Sequence, residues 1–102
     1  MDRHTAISIL RSHAPELRQR GVTALYLFGS TATDDNTPNS DVDLFIDYDE
    51  QSRFSLVELA GVKDYLEQVL DTRADVLTRD SLHPLLKEKI VDRSIKIFDE
   101  TT

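Results

Sequence analysis

A Gly-Ser pair and an Asp-x-Asp tripeptide, separated by ten residues, are the parts of this chain that could do chemistry. Asp41 and Asp43 stand at the start of an apolar run, 42–46, which is typical of a buried strand. Residues two apart on a strand point to the same face, so both carboxylates are expected to project together. Two carboxylates this close repel each other unless a cation lies between them, and their hard oxygen atoms suit Mg²⁺. The tripeptide therefore predicts a magnesium site.

The Gly-Ser pair predicts a phosphate-binding turn. Gly29 and Ser30 follow another apolar run, 24–28. A glycine at the end of a strand allows a sharp turn and a close approach of the backbone to a phosphate. If Ser30 opens a short helix, its hydroxyl and the free N–H groups of the first turn form an anion site. The alternative is that Ser30 is a plain turn residue.

A third carboxylate, Asp75, lies between Ala74 and Val76 in a short apolar run. A carboxylate there is costly to bury unless it is paired or binds a metal. If its strand lies beside the second strand, Asp75 joins Asp41 and Asp43. Three such carboxylates are expected to bind two Mg²⁺ ions, so that a hydroxyl attacks the α-phosphate of a nucleoside triphosphate and pyrophosphate leaves. Asp75 would then lie nearest the attacking hydroxyl.

The elements that must position these residues begin with an amphipathic helix over residues 3–20. Its apolar residues recur at helical spacing, with polar residues between them. Pro15 is expected to break or kink this helix, because a proline lacks the N–H that a helix interior needs. Gly21 is expected to end it.

Two more helices are predicted after the Asp-x-Asp tripeptide. Residues 52–70 follow helical periodicity, and Ser52 is the expected N-cap. A last helix is expected to start near Pro84 and end at about residue 94, after a cap at Asp80 or Ser81.

Four short apolar runs predict strands, with a solvent-exposed loop at residues 34–40. The strands are expected over residues 22–28, 41–48, 73–78 and 95–98. The direct step from the first to the second strand favours an antiparallel pair, and the helix that follows can carry the chain across to the third. The predicted fold is α+β, a small mixed β-sheet flanked by helices.

Composition limits the possible classes of protein. The 102 residues are expected to form one domain, 1–102, and the absence of cysteine excludes disulfides and thiolate zinc sites and fits a cytoplasmic location. No apolar run is long enough to span a membrane. A net charge of −7 argues against direct nucleic-acid binding, which needs a basic face. A nucleotide carried with its metal ions remains compatible.

Three alternative interpretations concern other polar residues. Calcium-binding EF-hand loops are excluded, because loops started at Asp35 or Asp41 lack the required glycine and glutamate. Asp47 continues the alternation of Asp41 and Asp43, and so does Asp49, but both are expected to form a solvated strand end. The three histidines are expected to have structural roles.

These residues resemble the minimal nucleotidyltransferases (MNT) of the DNA-polymerase-β-like superfamily. The resemblance includes the run LFGS at 27–30, the ten-residue spacing and the run NSDVDL at 39–44. It extends to residues 54–67, 74–78 and 82–90, which look like the family's middle helix, third-carboxylate strand and last helix. The resemblance implies the polymerase-β palm-like nucleotidyltransferase fold.

The resemblance also implies an activity and a partner. Members transfer AMP from ATP to a hydroxyl and act as antitoxins beside a HEPN-type ribonuclease toxin. They silence this toxin by adding AMP units to one of its tyrosines or by forming a complex with it. The chain is therefore expected to use ATP and two Mg²⁺ ions and to form a hetero-oligomer with such a toxin.

One departure from the family pattern leaves a second function open. Members commonly have Gly-Ser-x-Ala-Arg-Gly, whereas this chain has Thr31 and Thr33 after the Gly-Ser pair and no arginine. A missing cation beside the triphosphate would weaken nucleotide binding. The alternative is therefore a binding-only antitoxin, and a third possibility is nucleotide transfer to a small molecule or an RNA.

Overall fold

The computed structural model of this chain describes residues 1–33 and 41–101. The loop predicted at 34–40 lies outside these residues. In chain order the elements are α1 Arg3–Ser12, α2 Ala14–Gln19, β1 Val22–Phe28, α3 Gly29–Ala32, β2 Val42–Tyr48, α4 Leu56–Leu70, β3 Ala74–Thr78, a 3₁₀ turn Arg79–Ser81, α5 Lys87–Arg93 and β4 Ile95–Phe98.

The four strands form one mixed sheet in the order β3-β2-β1-β4. β1 is antiparallel to both β2 and β4, while β2 and β3 are parallel. Helix α4 provides the crossover between the two parallel strands, which cannot be joined by a tight turn. The predicted α+β class and the antiparallel first pair are confirmed. β3 lies beside β2, which is the condition under which Asp75 was expected to join the other two carboxylates.

One face of the sheet packs against α1, α2 and α4 and forms the hydrophobic core. Alternate residues of β2, namely Val42, Leu44 and Ile46, lie in this core with at most 1% of their surface exposed. Each fully buried aliphatic side chain contributes roughly 1.5–3 kcal/mol relative to exposure. The core also contains Leu10, Leu17, Leu25, Leu27, Val62, Leu66 and Leu70.

The opposite face of the sheet has a separate aromatic and charged layer. Phe45 is fully buried there by Tyr26, whose ring stacks on it at 4.7 Å, and by Phe28 at 5.8 Å. The guanidinium of Arg79 lies 5.1 Å from the Phe45 ring and donates to both carboxylate oxygens of Asp47 at 2.8 and 2.9 Å. This bidentate pair fixes the C-terminal end of β2. Asp47 is therefore not the solvated residue predicted from the sequence.

The break in the first predicted helix is confirmed. α1 ends at Ser12, and Pro15 lies in the first turn of α2, where its missing N–H has no consequence. Gly21 follows α2 with φ +95°, a left-handed conformation that suits glycine at a helix end.

The predicted starts of the two later helices are wrong. Ser55 rather than Ser52 caps α4, because Glu58 completes a reciprocal capping box with it. The Ser52 hydroxyl instead donates to the Asp49 carbonyl at 2.7 Å, within the turn after β2.

The last helix begins at Lys87 rather than near Pro84. Neither Asp80 nor Ser81 caps it, because both belong to the 3₁₀ turn, and the Ser81 hydroxyl is 2.8 Å from that of Thr78. Nowhere in the described ranges is a helix both long enough and apolar enough to cross a membrane.

Candidate functional site

Three strands bring the predicted carboxylates and the Gly-Ser turn to one place on the sheet. In the parallel pair of β2 and β3, Asp43 is opposite Asp75. In the antiparallel pair of β1 and β2, Asp43 is opposite Phe28, the residue before Gly29. Asp43 therefore lies between the third carboxylate and the turn. Asp41 directly precedes β2 and has the same side-chain direction as Asp43.

The electrostatics of Asp43 show that the three carboxylates influence one another. Asp43 is partly buried, whereas Asp41 and Asp75 are exposed. Burial raises the pKa of Asp43 most, and the negative charges of Asp75 and then Asp41 raise it further. The ionised form of Asp43 is therefore electrostatically unfavourable in this site, and a bound cation would offset the repulsion.

Gly29 allows the turn to pass directly against Asp43. Its φ is +75°, a conformation that L side chains rarely adopt. A Cβ atom at this position would lie 3.2 Å from the Asp43 Cγ and 3.3 Å from its Cβ, and closer still to a carboxylate oxygen. Glycine is therefore required here both for conformation and for space.

Ser30 lies in the first turn of α3, which is the condition under which an anion site was expected there. No side chain among the described residues caps the N-terminus of helix α3, so its first N–H groups could face an anion. The helix is fixed at its other end: Arg3 donates to the Ala32 carbonyl at 3.2 Å, and the Thr33 hydroxyl lies 3.3 Å from the carbonyl oxygens of Gly29 and Ser30. This arrangement could bind phosphate oxygens.

Thr31 and Thr33 have different environments, although neither provides the family's arginine. Thr31 is 1% exposed, and its hydroxyl has no hydrogen-bond partner in the described part of the chain. A charged side chain at position 31 would have to enter the core. Thr33 is exposed. Of the two threonines, only Thr33 therefore lies where a charged side chain could remain in solvent.

A cavity of about 290 Å³ opens beside this turn. Its lining includes Gly29 and Thr33 at the two ends of α3 and Lys89 and Arg93 of α5. Phe28, Leu86 and Ile90 complete the lining. Neither cation was predicted as a site residue from the sequence. Their i, i+4 spacing shows that they share a helix face, but not that this face meets α3.

The donor types suit a hard divalent cation, but the carboxylates are not gathered into a ready metal site. Within residues 1–33 and 41–101, no three His, Cys, Asp or Glu side chains are close enough to hold a metal ion. Asp41, Asp43 and Asp75 supply oxygen atoms only, and their mutual repulsion favours a cation. The two expected Mg²⁺ ions and the site roles of these residues stay predictions.

Several other polar side chains make structural contacts away from the carboxylates. His13 Nδ1 lies 2.7 Å from the Tyr65 hydroxyl, and His83 Nδ1 accepts from the Leu85 N–H at 3.2 Å. Asp49 accepts from the Gln51 N–H at 2.9 Å within a turn. A larger cavity of about 640 Å³ beside Asp49 is lined by none of the three site carboxylates.

Comparisons with known proteins give a consistent result. A family model described as a nucleotidyltransferase domain matches residues 10–97. The protein adenylyltransferase MntA of Thermococcus cleftensis is 38% identical over 76 residues, which are 74% of this chain and 75% of that protein.

Two solved structures share the fold. A candidate minimal nucleotidyltransferase superposes with a TM-score of 0.77 and 29% identity, covering 93% of this chain and 95% of that one. A chain of the Shewanella oneidensis complex between a tri-AMPylated HEPN toxin and its MNT antitoxin superposes with a TM-score of 0.58 and 18% identity, covering 95% and 69%. At that identity the second likeness concerns the fold alone.

Proposed function

Because the chain belongs to the nucleotidyltransferase family, we propose that it is an Mg²⁺-dependent adenylyltransferase that transfers AMP from ATP to a protein hydroxyl. We further propose that this hydroxyl is a tyrosine of a cognate HEPN-type toxin and that the chain acts as its antitoxin. The observation that carries the proposal is the register that sets Asp43 between Asp75 and the Gly29 turn. The named activity of MntA and the HEPN complex described above support the substrate and the partner.

The residues of the turn would bind the nucleotide. Ser30 and the free N–H groups of the first turn of α3 would hold the β- and γ-phosphates. Asp41 and Asp43 would hold the nucleotide metal, and Asp75 would hold a second ion near the acceptor. Bound Mg²⁺ would neutralise phosphate charge and polarise the acceptor hydroxyl.

The transfer itself would be an in-line displacement. The acceptor oxygen forms a bond to the α-phosphorus while the bond between that phosphorus and the α–β bridging oxygen breaks, and pyrophosphate leaves with the electron pair. The hydroxyl proton would pass to Asp75, whose exposed carboxylate can accept it and release it to water. The products are an AMP-modified hydroxyl and pyrophosphate.

The second candidate function is a binding-only antitoxin. It is favoured by one observation: Thr33, the exposed position where the family has an arginine, carries no charge. Such a protein would neutralise the toxin through a complex, and its carboxylates would be dispensable for that effect.

Intact mass spectrometry of the cognate toxin separates the two functions. The toxin is incubated with this protein, ATP and Mg²⁺, and mass increments of AMP are expected. Asp41→Asn, Asp43→Asn and Asp75→Asn should each abolish them while the fold is retained. Asp64→Asn is the matched control, because Asp64 is exposed on α4 and lies away from the site.

The outcomes distinguish the proposals clearly. Full transfer by all three site variants would refute the assigned carboxylate roles. Neutralisation of the toxin without any AMP increment, in the wild type and in all variants, would establish the binding-only function instead.

A further inference from the structure

The cavity beside Gly29 combines an apolar lining with two cations. Phe28, Leu86 and Ile90 supply the apolar part of its surface, while Lys89 and Arg93 supply the charge. These two residues are four apart on α5 and therefore share one face of that helix. Their face meets the turn where the triphosphate would lie.

Lys89 and Arg93 line this cavity without a charged partner among the described residues. Among the described residues, neither makes an ion pair or a side-chain hydrogen bond. By contrast, Lys87 on the same helix pairs with Asp80 at 3.6 Å, and Lys63 pairs with Glu67 at 3.1 Å.

A missing ion pair alone is not distinctive, because Arg53 and Arg73 make none either among the described residues. What distinguishes Lys89 and Arg93 is that both line the same cavity beside Gly29. Two cations that stay unpaired beside one cavity, in the part of the chain that the structure describes, are available to an anionic ligand.

We infer that Lys89 and Arg93 bind the β- and γ-phosphates of ATP and replace the arginine that is missing at position 33. The inference rests on the proposed function. A triphosphate brings negative charge to a site that already holds three carboxylates, so it needs cations on the side away from them. The planar guanidinium of Arg93 can donate to two phosphate oxygens, and the Lys89 ammonium adds a mobile point charge.

The position of the cavity supports this role. Gly29 lines the cavity and also lies against the Asp43 side chain. The cavity and the carboxylate site therefore adjoin at this residue. Thr33, which occupies the arginine position of the family pattern, lines the same cavity. Cations from α5 would thus reach the cavity that an arginine at position 33 would line.

The test compares substitutions on one helix face. Lys89→Met, Arg93→Met and the double variant are compared with Lys87→Met, which removes the same charge from α5 but does not line the cavity. The measurements are the Kd for ATP with Mg²⁺ and the KM values for ATP and for the toxin. Each single substitution should raise the ATP Kd by about 10-fold and the double by about 100-fold, in keeping with lost charge-assisted hydrogen bonds.

Two further results are expected. The KM for the toxin should stay unchanged, because the cations contact the nucleotide only. Thr33→Arg, introduced into the double variant, should restore most of the lost ATP affinity, because position 33 is exposed and faces the same cavity. Far-ultraviolet circular dichroism should show that each variant is folded.

The opposite results would overturn the inference. If the double variant binds ATP as Lys87→Met does, or if only the KM for the toxin rises, the cations do not bind the triphosphate and the proposed function stands. If Thr33→Arg fails to restore affinity, the cations do not replace the missing arginine. If the wild type itself binds no ATP, the proposed function fails together with this inference.

Discussion

Replacing Gly29 with alanine tests whether the turn requires glycine because it passes directly against the Asp43 side chain. The φ of +75° would cost an alanine about 1–2 kcal/mol, partly offset by about 0.4–1 kcal/mol from the stiffer unfolded chain. The added methyl group would also lie 3.2 Å from the Asp43 Cγ, so the carboxylate must move. We expect Gly29→Ala to lower the free energy of unfolding by about 1–3 kcal/mol in total.

The effect on activity should be larger than the effect on stability. A displacement of about 1 Å in a reacting group can reduce the rate about 100-fold, so AMP transfer by Gly29→Ala should fall by at least that factor. Unfolding in urea, followed by circular dichroism, measures the first effect, and the rate of toxin mass increase measures the second.

Gly61→Ala is the matched control. Gly61 lies inside α4, and the nearest atom to an added Cβ is Arg20 Nη1 at 3.7 Å, an ordinary contact. This substitution should stabilise the protein by about 0.5–1 kcal/mol and leave transfer intact.

A double-mutant cycle separates strain from contact. In an Asp43→Ala background the carboxylate is absent, so Gly29→Ala should cost less stability than in the wild type. Equal costs in both backgrounds, or an unfolding midpoint of Gly29→Ala that matches the wild type, would refute the argument that Gly29 makes room for Asp43.

Two other predictions concern stability. Folding raises the pKa of Asp43 above 3.8, mainly through burial and then through the charge of Asp75. At pH values above this raised pKa, ionised Asp43 therefore lowers the free energy of unfolding. The destabilisation disappears as the pH falls through the folded-state pKa of Asp43. Without Mg²⁺, Asp43→Asn should therefore raise the free energy of unfolding at pH 7 by up to about 1 kcal/mol, and urea titrations at falling pH should show the gain shrinking; a destabilised variant would contradict this reasoning. Ser55→Ala should cost about 1 kcal/mol through the lost cap of α4, whereas Ser52→Ala should cost clearly less, and equal costs in thermal unfolding would exclude Ser55 as the main cap.

Local patterns in the sequence predicted the strands that carry the candidate site residues. Alternation predicted that Asp41 and Asp43 share one face, and the helix after β2 was expected to carry the chain across to a third strand. That strand, β3, lies parallel to β2 and sets Asp75 opposite Asp43. The strand alternation and the helix after β2 can both be predicted because the spacing of apolar residues in the sequence has the period of a strand or a helix.

Errors arose where several residues could serve the same local role. Ser52 and Ser55 are both reasonable caps, and the deciding signal was Glu58, which lies three residues after Ser55. Contacts between distant segments gave no local signal at all. Asp47 and Arg79 are 32 residues apart, and Lys89 approaches Gly29 only because α5 packs near the end of β1.

The energetics of the site distinguish it from the scaffold around it. Asp47 has a guanidinium partner, and the apolar face of β2 is fully buried, so these parts of the strand favour folding. At the other end of the same strand, Asp43 is partly buried beside two like charges and within reach of a left-handed turn. A fold gains no stability from this arrangement, and an asparagine at position 43 would remove the repulsion. Such local conflict is expected where binding of a cation and a nucleotide, rather than folding, determines which residues are present.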